Sequence, residues 1–496
     1  VSNISMKRLH ACCLLLLALS IGLGLTQVVA GCATNPATGS PEVVLMSEED
    51  ELQIGRELDR RIQAQEALLE DDRLQQYVRQ VGEKVAASSH RSELIYRFRV
   101  IDRPQVNAFA LPGGYIYIYR GVLAYMNSEA ELAAVLAHEI GHVTARHTVR
   151  QHRNATLASL LVNIIAARAG TPYAGDIANL LGVAFVAGYG RELELEADGL
   201  GAEYLARAGY ETDAMLRVID VLKYQEEYAK ARAKAEGRKP VTYHGVFSTH
   251  PKNDSRLQEV VAAARKARET ADPRIGRDEF LARIDGMTYG FSEKEGIPRG
   301  NRFYHRKLDF GFAYPEGWLI ENQSGRVLGY APQGAAEIQL TVEDLNKRIP
   351  PAEFARERLN MNDLRQEKTF EINGLTAYSA LAPKGVFNSW NARLGIVYHD
   401  GRAYVFWGEP KDGKEPADFA QHFDATLRSF HKLRGDEAEA AREWKLRLLK
   451  ADGSVRYQIL AGQSPLGADA SAQLRLINQQ YPDGEPKAGD TLKIVQ

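Results

Sequence analysis

The stretch His138-Glu139-Ile140-Gly141-His142 holds the residue types and spacing best suited to chemistry in this sequence. On a helix, residues four apart lie one above the other, so both imidazoles can reach a single divalent ion. Glu139 then stands at the edge of that site, next to a bound water, and can act as a general base. The pattern suits zinc-assisted hydrolysis. Catalytic zinc generally takes three protein ligands and keeps one position for water, so a third ligand must come from elsewhere. Downstream lies Arg191-Glu192-Leu193-Glu194-Leu195-Glu196-Ala197-Asp198-Gly199, where Glu192, Glu194 and Glu196 all carry the right chemistry. Glu192 and Glu196 point to other sides of a helix than Glu194, as an acidic structural face would.

The elements that must hold these residues can be read from periodicity. Ser128 followed by Glu131 fits a capping box, and Leu132, Val135, Leu136 and Val143 continue a helical face, so a helix is expected from Glu129 to Thr148. Helical periodicity begins at about Ser47, and Leu74, Tyr77, Val78, Val81 and Val85 mark an amphipathic helix. Tyr96 to Ile101 alternates polar and apolar residues, and Tyr115 to Tyr119 is rich in strand formers after the turn Pro112-Gly113-Gly114, which predicts a small sheet. Two apolar stretches, Leu157 to Ala167 and Ile177 to Val186, are each too short to cross a bilayer and read as a buried helical hairpin. His147 and His152 fall outside the register of the histidine pair and are expected at the surface or in a second layer.

Together, His-Glu-x-x-His and the later Arg-x-x-Glu-x-Glu-Ala-Asp resemble the M48 family of membrane-associated and periplasmic zinc peptidases. The resemblance covers about 46–256. It implies that Glu194 is the third zinc ligand and that Asp198, one turn later, hydrogen-bonds a ligand imidazole from behind. Asn107-Ala108-Phe109-Ala110, followed by Leu111-Pro112-Gly113-Gly114, looks like the family's strand and turn before the active helix, an edge strand that could pair with extended substrate. Ser248-Thr249-His250-Pro251 with Arg256 also resembles a family motif, in which His250 masks the zinc or, with Arg256, donates to the oxyanion. One departure is Gly190, where the family often carries Ser or a similar polar residue; it bears on loop geometry and not on the ligands.

A chain of 496 residues exceeds one core, and its ordinary composition with a net charge of -2 gives no basic patch that would call for nucleic acid. Lys7, Arg8 and His10 precede an apolar run to Ala30, the layout of a secretory signal, and Val29-Ala30-Gly31-Cys32 resembles a bacterial lipobox. That resemblance implies lipidation at Cys32 and, with Ala33 and Thr34 following, sorting to the periplasmic face of the outer membrane. The alternative is an uncleaved anchor helix. The three cysteines, Cys12, Cys13 and Cys32, all fall in the signal or its junction, so the mature chain has no internal disulfide.

The expected organisation is a signal over 1–31, a flexible tether over 32–45, a mainly α zincin-type peptidase domain with a small β-sheet over 46–270, and a linker over 271–298. An α+β antiparallel-sheet sandwich follows over 299–435, with helices near Glu353 to Asn360 and Asp418 to Phe430. Its opening, Tyr314-Pro315-Glu316-Gly317-Trp318, resembles the PsbP/Mog1-like fold. Residues 436–496 read as a charged helix, Asp436 to Leu449, leading to a small α/β unit of strand, helix and strand. The pattern around Pro486 resembles a LysM-type module, which binds peptidoglycan. The expected function is one-zinc endopeptidase action on envelope or outer-membrane proteins, in quality control or assembly. The competing expectation is a chaperone or assembly factor with a masked peptidase.

Overall fold

The computed structural model describes residues 32–37, 39, 41–43, 47–151, 189–235, 254–267, 272–382, 392–411 and 417–496. The signal segment, the apolar pair at 157–167 and 177–186, His152 and His250 lie outside the described residues. None of the described helices is long and apolar enough to cross a membrane.

The first body is built around the helix Glu129–Thr144, every residue of which is buried. Small residues make this possible: four alanines and Gly141 let neighbours approach from all sides, so the helix is a core axis and not an amphipathic surface helix. Its cap differs by one residue from a capping box. Ser128 Oγ accepts from Glu131 N at 3.2 Å, but the Glu131 carboxylate accepts from Asn127 N at 2.7 Å. The helix stops at Thr144, short of Thr148, because Arg146 takes a left-handed φ of 53°; a separate short helix, His147–Gln151, follows.

Against this axis pack Asp72–Ala86, whose Leu74, Tyr77, Val78, Val81 and Val85 are buried at helical spacing, and Arg191–Arg207. The helix Glu48–Gln65 starts at the Ser47 cap and lies near the sheet. That sheet has three strands in the order Arg97–Ile101, Tyr115–Tyr119, Ala108–Leu111. The central strand runs parallel to the first and antiparallel to the last, which leaves Ala108–Leu111 at an edge.

Three expectations are corrected. The segment 271–298 is not a linker: Arg277–Ile284 is a helix that places Phe280, Leu281 and Ile284 in the main core. Asp436 to Leu449 is not a helix. Trp444–Lys450 is a strand, central in a sheet ordered Thr491–Val495, Trp444–Lys450, Thr288–Tyr289. Trp444, Leu446 and Leu448 point inward at every second position, a strand period that the preceding Glu, Ala and Arg residues obscure. With the helices Tyr457–Ala461 and Ala470–Ile477 the tail shares the core of the first body, contributing Leu446, Tyr457, Leu474, Ile477 and Val495. Finally, 32–45 is not a free tether. Cys32–Thr34 pairs with Pro41–Val43, and buried Asn35 donates from Nδ2 to Ala145 O at 3.4 Å, just past the axial helix.

Between these segments sits an antiparallel sheet of seven strands, ordered 319–323, 326–330, 336–344, 402–410, 392–399, 375–382, 365–372. A four-stranded sheet and the helix Phe419–Ser429 accompany it. Its core is aromatic, with Phe303, Phe310, Phe312, Tyr314, Trp318, Tyr404, Phe406 and Phe430 buried together. The other helix of this part runs Pro351–Glu357.

The join between the two parts is specific. Arg120, 1% exposed, pairs with Asp102 at 2.6 Å and donates to the carbonyls of Thr288 and Gly290. Glu293 N donates to the Glu443 carboxylate at 3.3 Å, so the chain enters and leaves the seven-stranded part at neighbouring points.

Candidate metal centre

Two helices meet closely because they carry small residues at the contact. A Cβ on Gly141 would fall 2.9 Å from the carbonyl oxygen of Ala197, and one on Gly201 would fall 3.1 Å from His138 N. This approach brings Glu194 from the second helix to the histidine pair of the first. His138 Nε2 and His142 Nε2 are 3.0 Å apart, and Glu194 Oε2 lies 3.4 Å and 3.7 Å from them. A tetrahedral zinc with bonds of about 2.0–2.1 Å spaces its ligands by roughly 3.3 Å, so the donor set fits such an ion. All three residues are buried, at most 2% exposed, and form the one cluster of metal-ligating side chains found among the described residues.

The surroundings suit ligands. His138 Nδ1 lies 2.9 Å from Asp198 Oδ1, which fixes the ring and turns Nε2 inward. Burial opposes charge on His138, but Asp198 and Glu194 outweigh it and raise its affinity for a proton, which a metal ion would displace. Glu139 is 1% exposed, and neither carboxylate oxygen has a hydrogen-bond partner. Burial pushes its carboxyl up to about 8, with His138 opposing the shift and Glu194 adding to it. A buried carboxyl of raised proton affinity beside three convergent donors is the arrangement a general base needs.

The other expected residues separate. Ala108 and Ala110 are buried and Phe109 stacks on Tyr117 in the edge strand, while Asn107 offers its carbonyl to Tyr119 N. Ala110, Leu111 and Pro112 face His142, Val143 and Arg146 across a small cavity, so the edge strand runs beside a ligand. Arg256 lies on the helix Asp254–Ala267. Glu192 is exposed, whereas Glu196 pairs with Arg150 at 2.7 Å. Gly190 caps the Glu194 helix without a side-chain bond; its φ of -67° and the open space around it would accept a serine.

Two neighbours complete the surroundings, His147 in the second layer and not at the surface, and Tyr189, which the sequence alone does not single out. His147 is wholly buried, with Nδ1 2.8 Å from Nδ1 of His142. Tyr189 stacks on the His142 ring with centroids 4.0 Å apart, and its hydroxyl lies 2.8 Å from Thr148 Oγ1. Its position just ahead of Arg191 is the only hint the sequence offers.

Residues 72–264 match the model of peptidase family M48. The beta-barrel assembly-enhancing protease of Yersinia pestis is 31% identical over 281 residues, 53% of this chain and 54% of that protein. The protein of the same name from Escherichia coli O157:H7 is 30% identical over 391 residues, 73% of this chain and 77% of that one. The mitochondrial metalloendopeptidase OMA1 of Schizosaccharomyces pombe is 31% identical over 201 residues, 40% of this chain and 56% of its own length. The chain thus spans about half the length of some curated relatives and about three quarters of others. Among solved structures, cyanobacterial PsbP from Synechocystis sp. PCC 6803 covers 27% of this chain and 95% of its own at 12% identity, with a TM-score of 0.21. The family match takes in both helices that build the donor cluster, and the long alignment with the Escherichia coli protein extends well beyond them: the chain belongs to peptidase family M48.

Proposed function

We propose that the chain is a zinc endopeptidase of the bacterial envelope, with His138, His142 and Glu194 as ligands, Asp198 as the outer partner of His138, and Glu139 as general base. One observation carries this reading: three ligand atoms from two helices converge at 3.0, 3.4 and 3.7 Å beside a buried, unpartnered carboxyl. When bound, zinc supplies a Lewis acid and lowers the pKa of water to about 7. Glu139 takes the proton of the attacking water and passes it to the leaving amine. The edge strand Ala108–Leu111 runs next to His142, where pairing with an extended peptide would select polypeptide without demanding a particular sequence.

The names of the Yersinia and Escherichia relatives support substrates among outer-membrane β-barrel proteins, and Cys32 supports a lipid anchor on that membrane. Two variants separate the roles. Glu139→Gln should hold zinc at wild-type stoichiometry while cleavage of an unfolded test protein falls by about 10²–10⁴. His138→Ala should lose both. Undiminished cleavage by purified Glu139→Gln would sink the assignment.

A further inference from the structure

The two histidine ligands are backed differently. His138 Nδ1 meets the Asp198 carboxylate directly, at 2.9 Å. His142 Nδ1 meets a second imidazole, His147 Nδ1, at 2.8 Å. On the far side of that ring, His147 Nε2 faces Glu196 Oε2 at 3.4 Å, long for a hydrogen bond, and Glu196 is anchored by Arg150. His147 reaches this place only because the axial helix breaks. A residue five positions after His142 on an unbroken helix would point well away from it, whereas the left-handed Arg146 turns His147 back under the ligand.

Two ring nitrogens 2.8 Å apart share one proton. For His142 to offer a lone pair at Nε2, the atom 3.0 Å from His138 Nε2 and 3.7 Å from Glu194, its own proton must sit on Nδ1. His147 Nδ1 must then accept that proton's hydrogen bond. The proton of His147 therefore sits on Nε2, the atom on the Glu196 side of the ring, 3.4 Å from that carboxylate and without a hydrogen-bond partner of its own. The opposite tautomer of His147 would set two N–H groups against each other.

We propose that His147 is a positioning residue of the metal centre, which together with Glu196 holds His142 in the tautomer and ring plane that zinc requires. Asp198 does the same for His138 in one step; here the carboxylate acts through an intervening neutral imidazole. Glu196 is thereby more than part of an acidic helix face, and Arg150 keeps its carboxylate in place.

This inference rests on the metal-site reading above, and the test keeps the two apart. In Asn the side-chain oxygen can occupy the place of His Nδ1, whereas in Gln the polar group reaches the place of Nε2. His147→Asn therefore keeps an acceptor for His142, and His147→Gln removes it at nearly equal polarity. Zinc affinity of the full-length protein is measured by competition with a chromogenic chelator, with folding checked by circular dichroism. The expected result is a loss of about 10- to 100-fold for His147→Gln and at most about threefold for His147→Asn. Equal affinities for the two variants, or a larger loss for Asn, would overturn the role of His147. Failure of the wild-type protein to take up zinc would instead overturn the metal site itself.

Discussion

Gly141 sits between the two histidines, and adding one methyl group there tests whether helix spacing sets the metal site. In Gly141→Ala the new Cβ would stand 2.9 Å from Ala197 O and 3.1 Å from Ala197 Cα, both backbone atoms that cannot rotate away. Ordinary contact needs about 3.4 Å or more, so the helices must part by roughly half an ångström. Overpacking of this kind costs about 1–3 kcal/mol, while Ala gains up to about 1 kcal/mol over Gly in a helix interior. The net expectation is a modest loss of stability, up to about 2 kcal/mol. The effect on metal should be larger in relative terms. Glu194 moves with Ala197, so its separations of 3.4 and 3.7 Å from the imidazoles widen past the roughly 0.2 Å tolerance of zinc bonds. A loss of at least about tenfold in zinc affinity, or about 1.4 kcal/mol, is expected. Gly199→Ala, on the partner helix that carries Glu194, is the control, since its Cβ would meet only Val260 Cγ1 at 3.9 Å. It should gain stability and keep wild-type zinc affinity. Chelator competition and thermal unfolding in the metal-free state measure both quantities. If Gly141→Ala behaves like Gly199→Ala, helix spacing does not govern the site.

Other perturbations probe the joins. Lys493 is wholly buried and donates to the carbonyls of Ala124 and Met126 at 2.7 Å, just ahead of the axial helix. Burial holds its amine well below the usual lysine range, so the unfolded chain binds the extra proton up to about pH 10.5. Its contribution to stability therefore rises with pH below that value, and the stability of wild type relative to Lys493→Met in urea melts should rise as the pH approaches about 10; a constant difference would contradict this. Arg120→Met strands Asp102 in the interior and should cost about 3–5 kcal/mol, with part regained on adding Asp102→Leu; a cost under about 1 kcal/mol would show the pair to be solvated. Replacing 294–441 with a short Gly/Ser loop should leave a folded protein with zinc bound, because Glu293 and Glu443 already touch. Deleting 444–496 should instead give an unstable one, because it uncovers Phe280 and Ile284; the reverse order of stability by proteolysis would refute the shared core.

The chemistry was more legible than the scaffold. His138 and His142 are four apart on one helix, and that spacing lets both imidazoles reach one metal ion. Glu194 needed the family pattern, since Glu192 and Glu196 have the same side chain and only the direction of approach separates them. For His147 the choice between surface and second layer was open, because it depends on the left-handed φ of Arg146, a residue type that normally avoids it. The segment around Phe280 reads as polar linker because its three apolar residues make a single turn of contact, whose value depends on a partner far away in sequence. Trp444–Lys450 was misread for a related reason: alternation over a few residues was outweighed by the helix formers before it.

The anchor that Lys493 provides also sets an order in time. Its partner Met126 lies 367 residues earlier, so at about 5–20 residues per second a ribosome needs roughly 20 to 70 seconds to travel from one to the other. For most of that interval the nascent chain already carries both histidines and Glu194, while Lys493 does not yet clasp the loop that leads into the histidine helix. The loop ahead of the metal-binding helix is thus closed by a residue made long after the metal ligands themselves.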